Sequence, residues 1–268
     1  SNRLLKQTHA ILMQGVRGEQ KQPGEFRSSQ NWIGGSNLND AAFIPPHQDG
    51  VAALMGDLEK FWYNEEIVVP HLVRAAISHY QFEAIHPFLD GNGRIGRLLI
   101  PLYLVSHGLL AKPSLYLSDY FERNRASYYD ALMRVRVGNE LIHWVRFFLG
   151  GIAETATKGR DVFRQVLSLR TEAEQATMDL GKRAALAREA LNVLYRQPIL
   201  DAAALERALD VTSPTANRMI KSLMEKEIRV RKLRQRSVPA EKILFAFEGP
   251  EERDQRAGAS MGRSWSQD

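Results

Sequence analysis

Apolar residues recur at intervals of three and four over most of the first 180 positions, a period that points to amphipathic helices rather than strands. Leu4, Leu5, Ile11 and Leu12 open the pattern in a short first helix. It returns at about 50–63, 69–85, 94–107, 119–136 and 140–156, and a polar helix follows at about 158–180. The long interruption, about 17–50, is dense in Gly, Pro, Asn and Ser around Trp32-Ile33 and Phe43-Ile44. Two short extended pieces joined by Gly34-Gly35-Ser36 predict a hairpin or ordered loop there.

Beyond about 182 the elements shorten. A helix carrying Leu186, Leu191, Val193 and Leu194 is stopped by Pro198, and Asp201 can cap a second helix carrying Leu205 and Leu209. Ser213 caps a third, with Pro214 at its first helical position. Ala216, Ile220 and Leu223 then face inward, leaving Thr215, Asn217, Arg218 and Lys221 outward. A basic strand, Arg229–Arg236, and an apolar one, Ile243–Phe247, complete a winged helix-turn-helix. The expected parts are a mainly α core at 1–156 with its flap at 17–50, a linking helix at 157–181, the winged helix at 182–248, and a disordered tail at 249–268.

Charge follows the same division. Residues 1–180 hold 19 basic and 19 acidic side chains, so the net charge of +5 comes entirely from the C-terminal part. Eight basic residues and two acidic ones lie between Arg218 and Arg236. Such a patch suits DNA phosphates, with helix 213–227 in the major groove, and equally suits a homodimer contact or the docking of a target protein. The absence of Cys excludes disulfides and thiolate metal sites. No apolar run reaches about 18 residues and no leader precedes the first helix, which together predict a cytoplasmic protein without a membrane partner.

The chemistry concentrates in His86-Pro87-Phe88-Leu89-Asp90-Gly91-Asn92-Gly93-Arg94-Ile95-Gly96-Arg97. Gly91 and Gly93 let the backbone turn tightly and present successive N–H groups to an anion. The helix that follows, from about Arg94, points its positive end at the same place. Arg94 and Arg97, three apart on one face, suit two phosphate groups. Asp90 offers a hard oxygen ligand for Mg²⁺, and His86 is a candidate general base for a hydroxyl nucleophile. Gly91, Gly93 and Gly96 also fit a dinucleotide fingerprint, but that requires a preceding strand, whereas Gln81–Ile85 reads helical. The other six histidines show no metal spacing and read as packing or surface residues, with His79 two turns before His86.

These twelve residues resemble the motif of the Fic family, His-Pro-Phe-any-(Asp/Glu)-Gly-Asn-(Gly/Lys)-Arg-any-any-Arg, at every fixed position. Phe26-Arg27 through Asn31-Trp32-Ile33-Gly34 and Ile44-Pro45-Pro46 resemble the family's flap. Tyr120-Phe121, Asn124-Arg125, Tyr128-Tyr129, Leu132 and Trp144 continue the likeness. The resemblance implies a mainly α Fic helical core with a β-hairpin flap and a C-terminal winged helix, acting as a protein adenylyltransferase. AMP would pass from ATP, with Mg²⁺, to a Tyr, Thr or Ser hydroxyl of a target protein presented at the flap, and to the chain itself. His86 would deprotonate the hydroxyl, and Asp90 would hold Mg²⁺. Gly91, Asn92 and Gly93 would bind the α-phosphate, and Arg94 and Arg97 the β- and γ-phosphates. Gly96 completes the glycine set of the nucleotide site. Asn31, Trp32, Ile33 and Gly34 would line the nucleotide and pair with the target backbone, and Tyr128 and Tyr129 would lie near adenine and ribose. Gly93, where phosphate-transferring relatives carry Lys, favours AMP as the group moved. The family's inhibitory (Ser/Thr)-any-any-any-Glu-(Gly/Asn) element has no match in the chain, which leaves regulation to upstream residues or a partner. Two further readings stand beside this one: transfer of another nucleotide, and a DNA-binding regulator with a vestigial Fic core.

Overall fold

The computed structural model describes residues 1–15, 20–225, 230–233 and 242–245. Its contacts divide the chain into two compact units, Ser1–Arg160 and the residues from Asp161 onward. Among the described residues no helix is long and apolar enough to cross a membrane.

The first unit is built from α1 (Asn2–Leu12), α2 (Val51–Tyr63), α3 (His71–Ile85), α4 (Asn92–Ser106), α5 (Ser118–Arg123), α6 (Arg125–Gly138) and the start of α7 (Leu141–Met178). The packing of α3 against α4 is the most extensive helix contact of the chain. Around that pair lie the fully buried Phe82, Ile85, Phe88, Ile95, Trp144 and Phe148. Trp144 is deep but satisfied, because its indole N–H donates to the Ala76 carbonyl at 2.8 Å.

Helix boundaries depart from the sequence pattern in three places. α4 begins at Asn92 because Gly91, at φ 78°, takes the left-handed conformation that caps it. The stretch expected as one helix at 119–136 breaks at Asn124, whose main-chain N–H and side-chain amide both donate to the Tyr120 carbonyl, at 3.0 and 2.9 Å. The two helices expected at 140–156 and 158–180 are one, α7. Gly159 lies inside it, as do Gly150 and Gly151, and each interior Gly costs only about 1 kcal/mol, too little to stop a helix with no proline.

The flap is less regular than expected. In place of two paired strands, a single antiparallel bridge joins Ile33 and Phe43, with their N–H groups donating at 2.9 and 3.1 Å. Gly34 and Gly35 turn at φ 72° and 70°, and a β-carbon on Gly35 would meet the Asp40 carbonyl at 2.3 Å. The Asp40 carboxylate accepts the Ser36 and Asn37 N–H groups, so side-chain hydrogen bonds replace a strand ladder. Residues 16–19, at the expected start of the flap, lie outside the described residues.

In the second unit, α8 (Ala184–Arg196), α9 (Ala202–Leu209) and α10 (Ser213–Glu225) pack around Leu191, Leu194, Leu205, Ile220 and Leu223. β1 (Ile199–Asp201), β2 (Val230–Leu233) and β3 (Lys242–Phe245) form an antiparallel sheet in the order β1-β3-β2. Asp201 caps α9, accepting the Ala204 N–H at 2.6 Å. α10 starts one residue earlier than expected: the Thr212 carbonyl accepts the Ala216 N–H, so Ser213 is already helical. The tail expected at 249–268 and the ends of both strands expected as a wing lie outside the described residues.

Candidate active site

The site is a turn between two helices, shaped by its own sequence. Pro87 bars the residue before it from the right-handed helical region, so α3 stops and His86 takes φ 51°, ψ 60°. A non-glycine residue in that conformation is uncommon, and such strain collects at functional turns. Phe88 then drives into the core, fully buried. Asn92 is buried too, and its amide holds both sides of the Phe88 peptide: Oδ1 accepts the Phe88 N–H at 2.8 Å and Nδ2 donates to the Phe88 carbonyl at 2.7 Å.

Two residues outside the motif lock this turn. Arg27, 2 % exposed, donates from Nε to the His86 carbonyl at 3.0 Å and from its terminal nitrogens to the carbonyls of Ile85, Ser29 and Pro46. Its own N–H donates to the Pro87 carbonyl at 2.8 Å. Burial lowers its pKa from the usual arginine value. His9 of α1 lies flat on Phe88, ring centroids 3.9 Å apart. Its Nδ1 accepts the Gly24 N–H at 2.8 Å, which places the proton on Nε2, facing the Asp90 carbonyl at 3.0 Å. Burial lowers the His9 pKa. Neither residue has a spacing that marks it, because both act on main-chain atoms far away in sequence.

His86 itself is held neutral. Burial, the largest cause, brings it to about 4; the Glu83 main-chain carbonyl pulls upward, Arg27 and Arg136 push down, and Asp90 pulls up. Its Nδ1 is buried without a hydrogen-bond partner. At the opposite lip of the turn the Asp90 carboxylate accepts the Gly91 N–H at 2.6 Å, with Lys21 and Arg94 each 3.8 Å away. Arg94 also lies 3.1 Å from the Met13 sulfur. Arg97 folds back over Gly93, 3.5 Å from where a β-carbon would stand, and has no hydrogen bond or ion pair among the described residues. A neutral imidazole, a helix N-terminus and two arginines therefore border one turn of chain.

Residues 1–104 match the Fic/DOC family. The Fic match takes in α1, the flap, α2, α3, the whole turn 86–97 and most of α4. Proteins named "Protein adenylyltransferase Fic" from Drosophila erecta and Aedes aegypti are 34 % and 32 % identical to the chain over 141 residues, 52 % of this chain and 25 % of each relative. The similarity thus spans about a quarter of those relatives' length. A crystal structure of a Fic family protein from Desulfovibrio desulfuricans G20 aligns over 93 % of this chain and 70 % of its own, with a TM-score of 0.55 and 25 % identity.

Around this turn the expected nucleotide residues divide. Gly91, Gly93, Arg94 and Arg97 border the turn with Asp90, and Trp32 is 40 % exposed on the flap. Asn31 donates to the carbonyls of His86 and Phe88 at 3.3 and 3.1 Å, so it ties the flap to the turn. Ile33 and Gly34 shape the flap bridge. Three expectations change. Asn92 spends its side chain on Phe88, leaving its main chain for a ligand. Gly96 is buried against α3: its carbonyl faces His79 Nδ1 at 2.9 Å, and a β-carbon would stand 2.2 Å from Glu83 Oε1. Tyr128 is 6 % exposed, packed in an aromatic cluster with its hydroxyl 3.0 Å from His79 Nε2. Tyr129, 46 % exposed, stays at the surface beside Arg125.

Proposed function

We propose that the chain is a protein adenylyltransferase that moves AMP from ATP onto a Tyr, Thr or Ser hydroxyl of a target protein and of itself. The observation that carries this reading is the turn 86–97, where a neutral imidazole adjoins an anion-binding helix N-terminus and two arginines. Relatives named as adenylyltransferases support the choice of ATP.

His86, uncharged at neutral pH, takes the proton of the incoming hydroxyl as its oxygen attacks the α-phosphorus. The new P–O bond forms as the bond to the bridging oxygen breaks, and pyrophosphate leaves with that electron pair. Main-chain N–H groups at Gly91–Gly93 receive the charge that develops on the α-phosphate. Arg94 and Arg97 hold the outer phosphates, each through charge-assisted bonds of about 1.5–3 kcal/mol. The residues present fit a magnesium ion. Asp90 is a single carboxylate, one third exposed at the lip of the turn, and no group of three His, Asp or Glu among the described residues forms an all-protein cage. Mg²⁺ usually takes one or two carboxylates and completes its shell with phosphate and water. Held by Asp90, it would neutralise charge on the α- and β-phosphates.

The flap, with exposed Trp32 above Asn31, is the place we assign to the target's backbone, by strand addition beside Ile33 and Phe43. The second unit we read as a winged helix-turn-helix whose α10 face, with exposed Asn217, Arg218 and Lys221, docks the target. Incubation with Mg²⁺ and ATP labelled at either the α- or the γ-phosphate tests the reading. Label should reach protein only from the α-position, with a mass gain of one AMP. Transfer from the γ-position would make the chain a kinase instead.

A further inference from the structure

One buried charge near the site is used by none of these steps. Glu83 lies one turn before His86 on α3, 7 % exposed, and Oε1 has no hydrogen-bond partner. The carboxyl packs on the bare backbone of Gly96, in the space a β-carbon would fill at 2.2 Å. A larger residue at 96 would evict it, so Gly96 serves this approach. The next residue along α4 is Arg97, the cation over the phosphate-binding turn that has no ion-pair partner among the described residues.

The ionisable groups acting on this cluster come from three elements. Arg97 on α4 and Arg136 on α6 act on Glu83 directly. Tyr128 on α6 is raised partly by Glu83, and Tyr80 on α3 acts on Arg136. His79 and His86, also on or ending α3, are both held neutral by burial. Arg136 stacks its guanidinium on Phe43 at 3.6 Å and keeps a buried, unbonded Nε. No hydrogen bond stabilises the Glu83 carboxylate, so burial dominates its titration and lifts it to about 7, against the pull of Arg97 and Arg136.

We propose that Glu83 is a positioning residue for Arg97, taking up a proton as a nucleoside triphosphate binds and so leaving the full arginine charge to the outer phosphates. The inference rests on the adenylyltransferase reading, because it assigns Arg97 to a triphosphate. The physical cause is reciprocity. An anion on Arg97 disfavours a second negative charge packed against the neighbouring Gly96, and protonation of that group favours the anion by the same factor.

The test uses the intact chain, magnesium and a non-transferable ATP analogue, with heats of binding measured in buffers of different ionisation enthalpy. At pH 7 the wild type should take up about half a proton per nucleotide beyond the uptake in Glu83→Gln. Its affinity should fall about fivefold or more between pH 6 and 8, while that of the Gln variant stays level. A merely structural glutamate would change stability but not proton uptake. If the Gln variant does not fold, the wild type decides alone: an affinity that stays level from pH 6 to 8 overturns the role of Glu83. Nucleotide binding with equal uptake in wild type and variant overturns the role of Glu83 and leaves the adenylyltransferase reading standing. No binding of the analogue to wild type overturns both.

Discussion

His86 and Glu83 stand three residues apart, and burial drives each towards its neutral form, one imidazole down to about 4 and one carboxyl up to about 7. A base that stays uncharged well below neutrality has a kinetic signature. At saturating nucleotide, AMP transfer should hold its plateau from pH 7 down to about 5; a fall with its midpoint near the ordinary 6.5 would count against His86 as the base. His86→Ala should lower the rate by about 10²–10⁴-fold while nucleotide affinity, read by calorimetry, changes little. The gathering of His86, Gly91, Arg94 and Arg97 at one turn was legible in the sequence because they lie within twelve consecutive residues. Tyr128 and Asn92 each bear a group that can bind a ligand, and in the structure each spends it on a neighbour, His79 or the Phe88 peptide. Sequence shows what a side chain can bond, not what it already bonds.

At the scale of elements, α3 and α4 followed from apolar period and from the Pro87 and Gly91 punctuation, because those signals are local. The flap did not, because its order comes from single contacts: one bridge, the Asp40 carboxylate, and two ties from Arg27 and Asn31 to the turn. Nor did the docking of α1, which depends on His9 reaching Asp90 across 81 positions. His9→Ala should leave the Gly24 N–H and the Asp90 carbonyl without partners and uncover Phe88. Each orphaned group costs about 1–3 kcal/mol, so chemical denaturation should report a loss of about 2–6 kcal/mol. Transfer activity should fall with it even though His9 never meets the nucleotide. A variant as stable as wild type would show that α1 does not anchor the turn.

Between pH 4 and 8, the largest shifts in the first unit fall on three buried groups. His79 and His86 both titrate at about 4 when folded, below the ordinary 6.5, so their contribution is present above 6.5 and lost as pH falls towards 4. His79 alone represents about 3 kcal/mol, at 1.36 kcal/mol per unit. Glu83, raised from 4.5 to about 7, works the other way: its contribution is full below about 4.5 and lost as pH rises through 7. Urea unfolding across pH 4 to 8 should therefore find greatest stability near 6.5, and Glu83→Gln should remove the decline above that point. A wild-type profile still rising from 6.5 to 8 would contradict the burial of Glu83. The arginine at 27 carries a different consequence, one of tolerance to change. It grips main-chain oxygens of Ser29, Pro46, Ile85 and His86, and every amino acid brings that same oxygen. Ser29 and Pro46 can thus be exchanged across generations while the tie between flap and turn persists, so the outer face of the flap can drift in sequence without rebuilding the turn beneath it.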